Sequence, residues 1–314
     1  HHPVAIAIQE GIPHGTSHIP FAGRGSSDGG LPRLAVACAT GAEHHDFRPG
    51  HDLRRGPGGH AGIDEDGLGA APVLEIVPAQ VRDGKRVILY THGGAYTMSS
   101  ARGRLLAMPS LARQTGLKVI SVDYTTAPAA DWQKMQGQVI AVIRALLAQG
   151  YAMDRIALIG DSAGGGLALS TVQNLRQQGL GMPAALVLWS PWADLTDRGD
   201  TAVTLKDADP ILSYDLMLKN SALAYANGLD LKDPRVSPIY GEFGKGFPPT
   251  LIQEGTRTIF LSTSVRLYRK LDEAGLKPVI DMYEGMPHVF QDMPAPEAAI
   301  AIRKSAEFIS ARLR

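Results

Sequence analysis

Residues 155–175 read RIALIGDSAGGGLALSTVQNL. The run Ile156–Ile159 is apolar at every position. It stops at Gly160-Asp161-Ser162-Ala163-Gly164. Leu and Val then recur at helical spacing through Leu175. This is a buried strand, a tight glycine turn and a helix, in that order. The turn matches G-x-S-x-G. A serine there is pushed out above the end of its strand, and flanking glycines are needed because side chains would strike the neighbouring strand and helix. The helix N-terminus adds N–H groups and positive dipole beside the hydroxyl. A structural glycine turn would look the same locally, so the meaning depends on what surrounds it.

HGGAY at 92–96 follows the apolar run VILYT at 87–91. Consecutive glycines let backbone N–H groups face a substrate without side-chain obstruction. Such donors stabilise the oxyanion of acyl transfer. Gly93 and Gly94 are the candidates, with Ala163 after the nucleophile as a third. Further strands are expected at VLEIV (73–77), LKVISVDY (117–124), AALVLWSP (184–191), PPTLIQEG (248–255) and KPVIDMYEG (277–285). Between them, RLLAMPSLARQTG (104–116), MQGQVIAVIRALLAQG (135–150) and VRLYRKLDEAG (265–275) are helical, and a last helix is expected from Pro296 to Arg314. Apolar strands alternating with helices predict an α/β protein, with a mostly parallel central sheet covered on both faces. The alternation lapses between about 195 and 246, where SYDLMLKNSALAYANG (213–228) is the one helical piece.

The base follows by elimination. In this architecture the order along the chain is nucleophile, acid, base. Of ten histidines only His288, in YEGMPHVFQ after the last strand, follows Ser162.

The bulk numbers exclude several classes. The chain has 314 residues, 44% hydrophobic, with 31 basic and 31 acidic side chains. Zero formal charge gives no footprint for nucleic acid or an anionic membrane. No apolar run reaches the roughly 18 residues of a membrane span. Cys38 is the single cysteine, so neither an intramolecular disulfide nor a Cys-based zinc cage is available. The opening HHPVAIAIQEG lacks the length and the Lys/Arg flank of a signal peptide, and the expected location is the cytoplasm. Residues 1–70 are rich in Gly, Pro and His, with a short helix expected near LPRLAVACA. His44, His45 and His51 lie near Asp46, but their spacing fits no metal-ligand template, and no metal is assigned.

Six segments together resemble the hormone-sensitive-lipase-like bacterial esterases of the α/β-hydrolase fold. They are HGGAY (92–96), VDYTTAP (122–128), GDSAGGG (160–166), SPWADLT (190–196), PPTLIQEGT (248–256) and EGMPHVF (284–290). The resemblance implies a serine carboxylesterase on small-molecule esters, acting without cofactor or metal, in a family that often forms homodimers. It also implies one hydrolase domain over 1–314. Its core would span about 71–194 and 247–314, with a cap from about 1–70 and the insertion 195–246. Lactonase or amidase chemistry on the same site, or a non-catalytic ligand-binding protein on this scaffold, are the alternatives. Trp132, Trp189, Trp192 and Tyr96 are candidates for lining a pocket, with core packing the expectation for Trp189.

Three departures stand out. Ala95 occupies the last position of the usual HGGG, and the segment usually resembling DYRLAPE reads DYTTAPAADW. The third is the acid, expected where Thr258 stands. Glu254, on the same strand, is the first candidate to replace it. Asp194, after the preceding strand, is the second. Thr258 itself could only orient the imidazole through a hydrogen bond.

Overall fold

A computed structural model describes residues 72–82 and 84–313. The expected N-terminal cap (1–70), its short helix and the His44/His45/His51 group lie outside the described residues.

The expected strands form one seven-stranded sheet. They are β1 (Val73–Ile76), β2 (Val87–Thr91), β3 (Lys118–Val122), β4 (Ile156–Asp161), β5 (Ala185–Trp189), β6 (Thr250–Arg257) and β7 (Val279–Pro287). The spatial order is β1-β3-β2-β4-β5-β6-β7. β1 runs antiparallel to β3, and every other pair is parallel. Strands β2, β4 and β5 are buried at every position. That is why their sequences are continuously apolar rather than alternating.

Helices α1 (Met108–Thr115) and α7 (Pro296–Ser310) pack on one face of the sheet, through Met108, Leu111, Ile302 and Ile309. Helices α2 (Trp132–Ala148), α3 (Ala163–Gln177) and α6 (Leu261–Glu273) cover the other, through Val139, Leu167 and Leu267. Asp131 caps α2 by accepting the Lys134 N–H at 3.0 Å. Trp189 is indeed core: its indole N–H reaches Ser305 of α7 at 3.0 Å.

Between β5 and β6 the chain leaves the sheet. This insertion carries α4 (Thr201–Thr204), one π-helical turn (Tyr214–Leu218) and α5 (Lys219–Ala226). It is packed on the core: Tyr225 of α5 stacks on Tyr96, with ring centroids 3.7 Å apart, and Ser221 lies 2.9 Å from the Thr97 hydroxyl.

Two strands are longer than their sequences suggest. β6 runs through Gly255 to Arg257, and β7 through Gly285 to Pro287, with a register shift between Gly255 and Arg257. Mutual pairing carries both strands past the glycines. Thr258 and His288 therefore leave the sheet at the same edge, directly after their strands.

Candidate active site

Parallel pairing aligns the C-terminal ends of β2, β4 and β5, with Thr91 opposite Gly160 and Asp161 opposite Trp189. In open α/β sheets this edge is where ligands bind. Ser162 sits just beyond β4 with φ +53° and ψ −124°, left-handed backbone in a non-glycine residue. Such geometry costs on the order of 1–3 kcal/mol and persists only when the surroundings enforce it. Here the Ser162 N–H donates to Trp189 O (2.9 Å), and its carbonyl accepts from Trp192 N–H (2.8 Å) and Gly166 N–H (3.2 Å). The glycines are required by contact: a Cβ at Gly160 would strike the carbonyl of Gly164, and one at Gly164 the carbonyl of Thr91.

His288 begins the loop after β7. Its Nε2 lies 2.9 Å from Ser162 Oγ. The sequence-expected nucleophile and base are thus brought together from 126 residues apart. The ring is buried, and the Phe260 ring meets it in a T-shaped contact at a centroid distance of 5.1 Å and an interplanar angle of 88°. Burial pulls its pKa down to about 4, against upward pulls from Asp209 and Asp161; Arg104 pulls it further down. Neutral imidazole, the form able to accept a proton, is favoured. The other ring nitrogen, Nδ1, is buried and has no hydrogen-bond partner among the described residues.

Neither expected acid is hydrogen-bonded to that nitrogen. Glu254 makes no hydrogen bond to His288. Strand alternation turns Gln253 toward α7, where it reaches Ala301 O, and sends Glu254 under α6. There its carboxylate accepts from Ser264 (2.7 Å) and from the Gly255 N–H (3.1 Å). Burial pushes its pKa up to about 7, against downward pulls from Ser190, Ser264 and the Gly255 N–H. Glu254 does bear on His288 indirectly: Ser190 Oγ also accepts the N–H of Val289, the residue after His288, at 3.1 Å. Asp194 is also engaged elsewhere, by Arg266 (2.7 Å), Tyr240 (2.9 Å) and Thr196 (2.7 Å). Thr258 spends its hydroxyl oxygen on the Phe260 N–H at 3.2 Å.

The glycine loop also departs from expectation at one position. The Gly93 N–H donates to Asp161 Oδ1 at 2.8 Å and is turned away from the reaction space. Asp161 also accepts from Tyr90 (2.6 Å) and pairs with Arg104 (2.7 Å). Arg104 in turn lies 3.4 Å from Asp292, whose pKa burial and Asp161 raise to about 6. Gly94 has φ +126°, and a Cβ there would meet the carbonyl of Met98. Ala95 and Tyr96 follow with φ +53° and +63°. His92 is structural: it stacks on Tyr124 at 4.2 Å, and burial lowers its pKa. Tyr96 and Trp192 stack beside this loop with centroids 5.5 Å apart, and Trp192 continues to Phe260 at 5.9 Å.

The family whose description is "alpha/beta hydrolase fold" matches residues 88–292. The chain belongs to the α/β-hydrolase family. This hydrolase is 35% identical to an esterase of Acinetobacter venetianus over 225 residues, covering 71% of its own length and 74% of the relative. It is also 35% identical to an acetyl-hydrolase of Streptomyces hygroscopicus, covering 68% of its own length and 67% of that protein. Among solved structures, a hormone-sensitive lipase from a metagenome library shares 35% identity at a TM-score of 0.74, over 78% of this chain and 84% of that one. An esterase of the bacterial hormone-sensitive lipase family shares 33% identity at a TM-score of 0.75, over 80% and 86%. The hydrolase thus sits in the hormone-sensitive-lipase-like branch and is an ester hydrolase.

Sequence reasoning missed Tyr90, Arg104, Ser190, Asp209 and Asp292. Each meets the site through a partner distant in the chain, so no local spacing marks it. Only Asp161 carried a signal, as the variable residue beside Ser162 in GDSAG. No group of three or more His, Cys, Asp or Glu able to hold a metal occurs among the described residues. No helix among them is long and apolar enough to cross a membrane.

Proposed function

We propose that this hydrolase cleaves short-to-medium acyl esters through an acyl-enzyme on Ser162. As Oγ attacks the carbonyl carbon, its proton passes to His288 Nε2 and the C=O electron pair moves onto oxygen. The oxyanion is stabilised by the N–H groups of Gly94 and Ala163, with the next loop N–H, that of Ala95, as a third donor in place of Gly93. Collapse breaks the ester C–O bond, and His288 returns the proton to the departing alcohol. Water then repeats the sequence and frees Ser162.

The observation that carries this reading is the 2.9 Å approach of His288 Nε2 to a strained, glycine-flanked Ser162. The names of the relatives, esterase and acetyl-hydrolase, favour small acyl groups. The test is hydrolysis of p-nitrophenyl acetate and butyrate in excess chelator, together with fluorophosphonate labelling. Metal-independent turnover and labelling, both lost in Ser162→Ala, are expected. Full activity in Ser162→Ala overturns the reading.

A homodimer belongs to the same proposal. β7 ends the sheet, and Val279 and Met282 on it are exposed, as is Ile300 of α7. A two-fold partner would cover that edge, and the mass in sedimentation equilibrium decides it.

A further inference from the structure

His288 takes on positive charge when it accepts the Ser162 proton, and no carboxylate touches its Nδ1. The position from which a charge would come is occupied by buried, uncharged Thr258. One buried carboxylate is nonetheless docked on the Thr258 loop. Asp209 belongs to the insertion, in LKDADPILS (205–213). Its Oδ2 accepts the N–H of Ile259, the residue after Thr258, at 2.9 Å. Its Oδ1 accepts the N–H groups of Ile211 and Leu212, also at 2.9 Å. Asp209 is 8% exposed and forms no ion pair among the described residues. The loop it grips continues to Phe260, whose ring makes a T-shaped contact with His288.

We infer that Asp209 is a positioning residue that supplies through space, from the inserted segment, the negative charge for His288 that position 258 does not carry. Three backbone donors keep its carboxylate in place without neutralising it with a cation. Both Asp209 and His288 are buried, where charges are screened less than at the surface, so its field persists beyond contact distance. Asp209 and Asp161 both pull the His288 pKa up, and Arg104, paired with Asp161, pulls it down. Arg257, which reaches Ala208 O at 3.3 Å, is exposed to solvent and screened. Asp209 takes no proton in the reaction: the proton moves from Ser162 Oγ to His288 Nε2 and on to the leaving alkoxide. The inserted segment then does more than cover the site. It completes the electrostatics of the base.

This inference rests on the reading of Ser162 and His288 as the reacting pair, and the experiment separates the two. The full chain is prepared as wild type, Asp209→Asn, Asp194→Asn, Asp209→Asn with Thr258→Asp, and Ser162→Ala. Turnover of p-nitrophenyl butyrate is measured. The pKa of His288 is followed by nitrogen-15 NMR of the histidine rings in the phosphonylated enzyme, where imidazolium is stabilised. Asp209→Asn should lower kcat roughly ten- to hundredfold, short of the ~10⁴ lost when a contacting acid is neutralised. It should also lower the His288 pKa by about 0.5–1 unit. Asp194→Asn should leave that pKa in place, and Thr258→Asp should restore both quantities in the Asp209→Asn background. If Asp209→Asn does not fold, Asp209→Ser keeps an acceptor for Ile211 or Leu212 without the charge and gives the same readouts. A fall in kcat with an unmoved His288 pKa assigns Asp209 to loop anchoring alone and overturns the inference. Unchanged kcat and pKa overturn it as well. Activity surviving in Ser162→Ala removes the reading beneath it, and the inference falls with that reading.

Discussion

His288 carries the most information of any single residue. Its Nε2 reaches Ser162, and its Nδ1 reaches nothing among the described residues. With its pKa drawn down to about 4 by burial, it stays neutral across mildly acidic solutions. The base form limits kcat/KM on the acid side, so activity should hold nearly constant from pH 8 to about 5.5, where a histidine of ordinary pKa near 6.5 would already be mostly protonated. An acid limb centred near 6.5 would contradict the burial argument. Glu254 gives a second residue-scale prediction, with the sign set by its raised pKa. Its folded-state pKa of about 7 exceeds the usual 4.5. The folded protein therefore binds the extra proton between those values, and the stability this contributes is full below about pH 4.5 and lost as pH rises through 7. Glu254→Gln cannot ionise. The Tm advantage of wild type over Glu254→Gln should shrink between pH 5 and pH 8, and a constant difference would refute it. The variant should retain the His288–Ser162 chemistry with a modest loss of kcat, because its path to His288 runs only through Ser190 and the Val289 N–H.

At the scale of elements, the glycine loop and the nucleophile turn are one unit. Asp161 in the turn holds the Gly93 N–H, and Arg104 before α1 holds Asp161. Arg104→Met should leave Asp161 facing Asp292 without the cation between them. A loss of about 1–3 kcal/mol in stability is expected, the lower range for a pair that is partly exposed, together with lower kcat from a misplaced loop. Urea unfolding and p-nitrophenyl butyrate kinetics on one preparation check both parts. A variant equal to wild type in both would remove Arg104 from the machinery. Gly94→Ala should be more severe: it demands φ +126° of a residue with a Cβ and drives that Cβ into Met98 O, so kcat should fall at least about 10²-fold. The strands and helices were legible in sequence because burial on both faces leaves continuous apolar runs. The ends of β6 and β7 were not, because Gly255 and Gly285 look like stops while strand pairing carries the chain beyond them. That error is what made Glu254 look like a strand end able to reach His288. The engagement of Gly93 was not legible for a related reason: HGGAY shows that N–H groups are available there, and only the folded positions of Asp161 and Gly93 show which one is already used.

Across the whole molecule, the sheet order brings β4, β5, β6 and β7 side by side, so Ser162, Ser190, Thr258 and His288 leave it along one edge. Sequence order alone sufficed to single out Ser162 and His288, which the fold brings to 2.9 Å from each other, since each follows an apolar strand and His288 is the one histidine after Ser162. It could not find Asp209, which enters from an insertion without strand–helix periodicity and meets the Thr258 loop only through the fold. The insertion also meets the glycine loop through Tyr225 and Ser221, so it touches the site from two sides. The central claim is that Ser162, activated by His288, is the nucleophile of a metal-independent esterase. The most direct test is mass spectrometry of the protein after fluorophosphonate treatment in chelator. One adduct per chain is expected on the peptide containing Ser162, formed in parallel with loss of p-nitrophenyl butyrate hydrolysis and absent in His288→Ala on the same timescale. An unmodified Ser162 in protein that still hydrolyses the ester would contradict it.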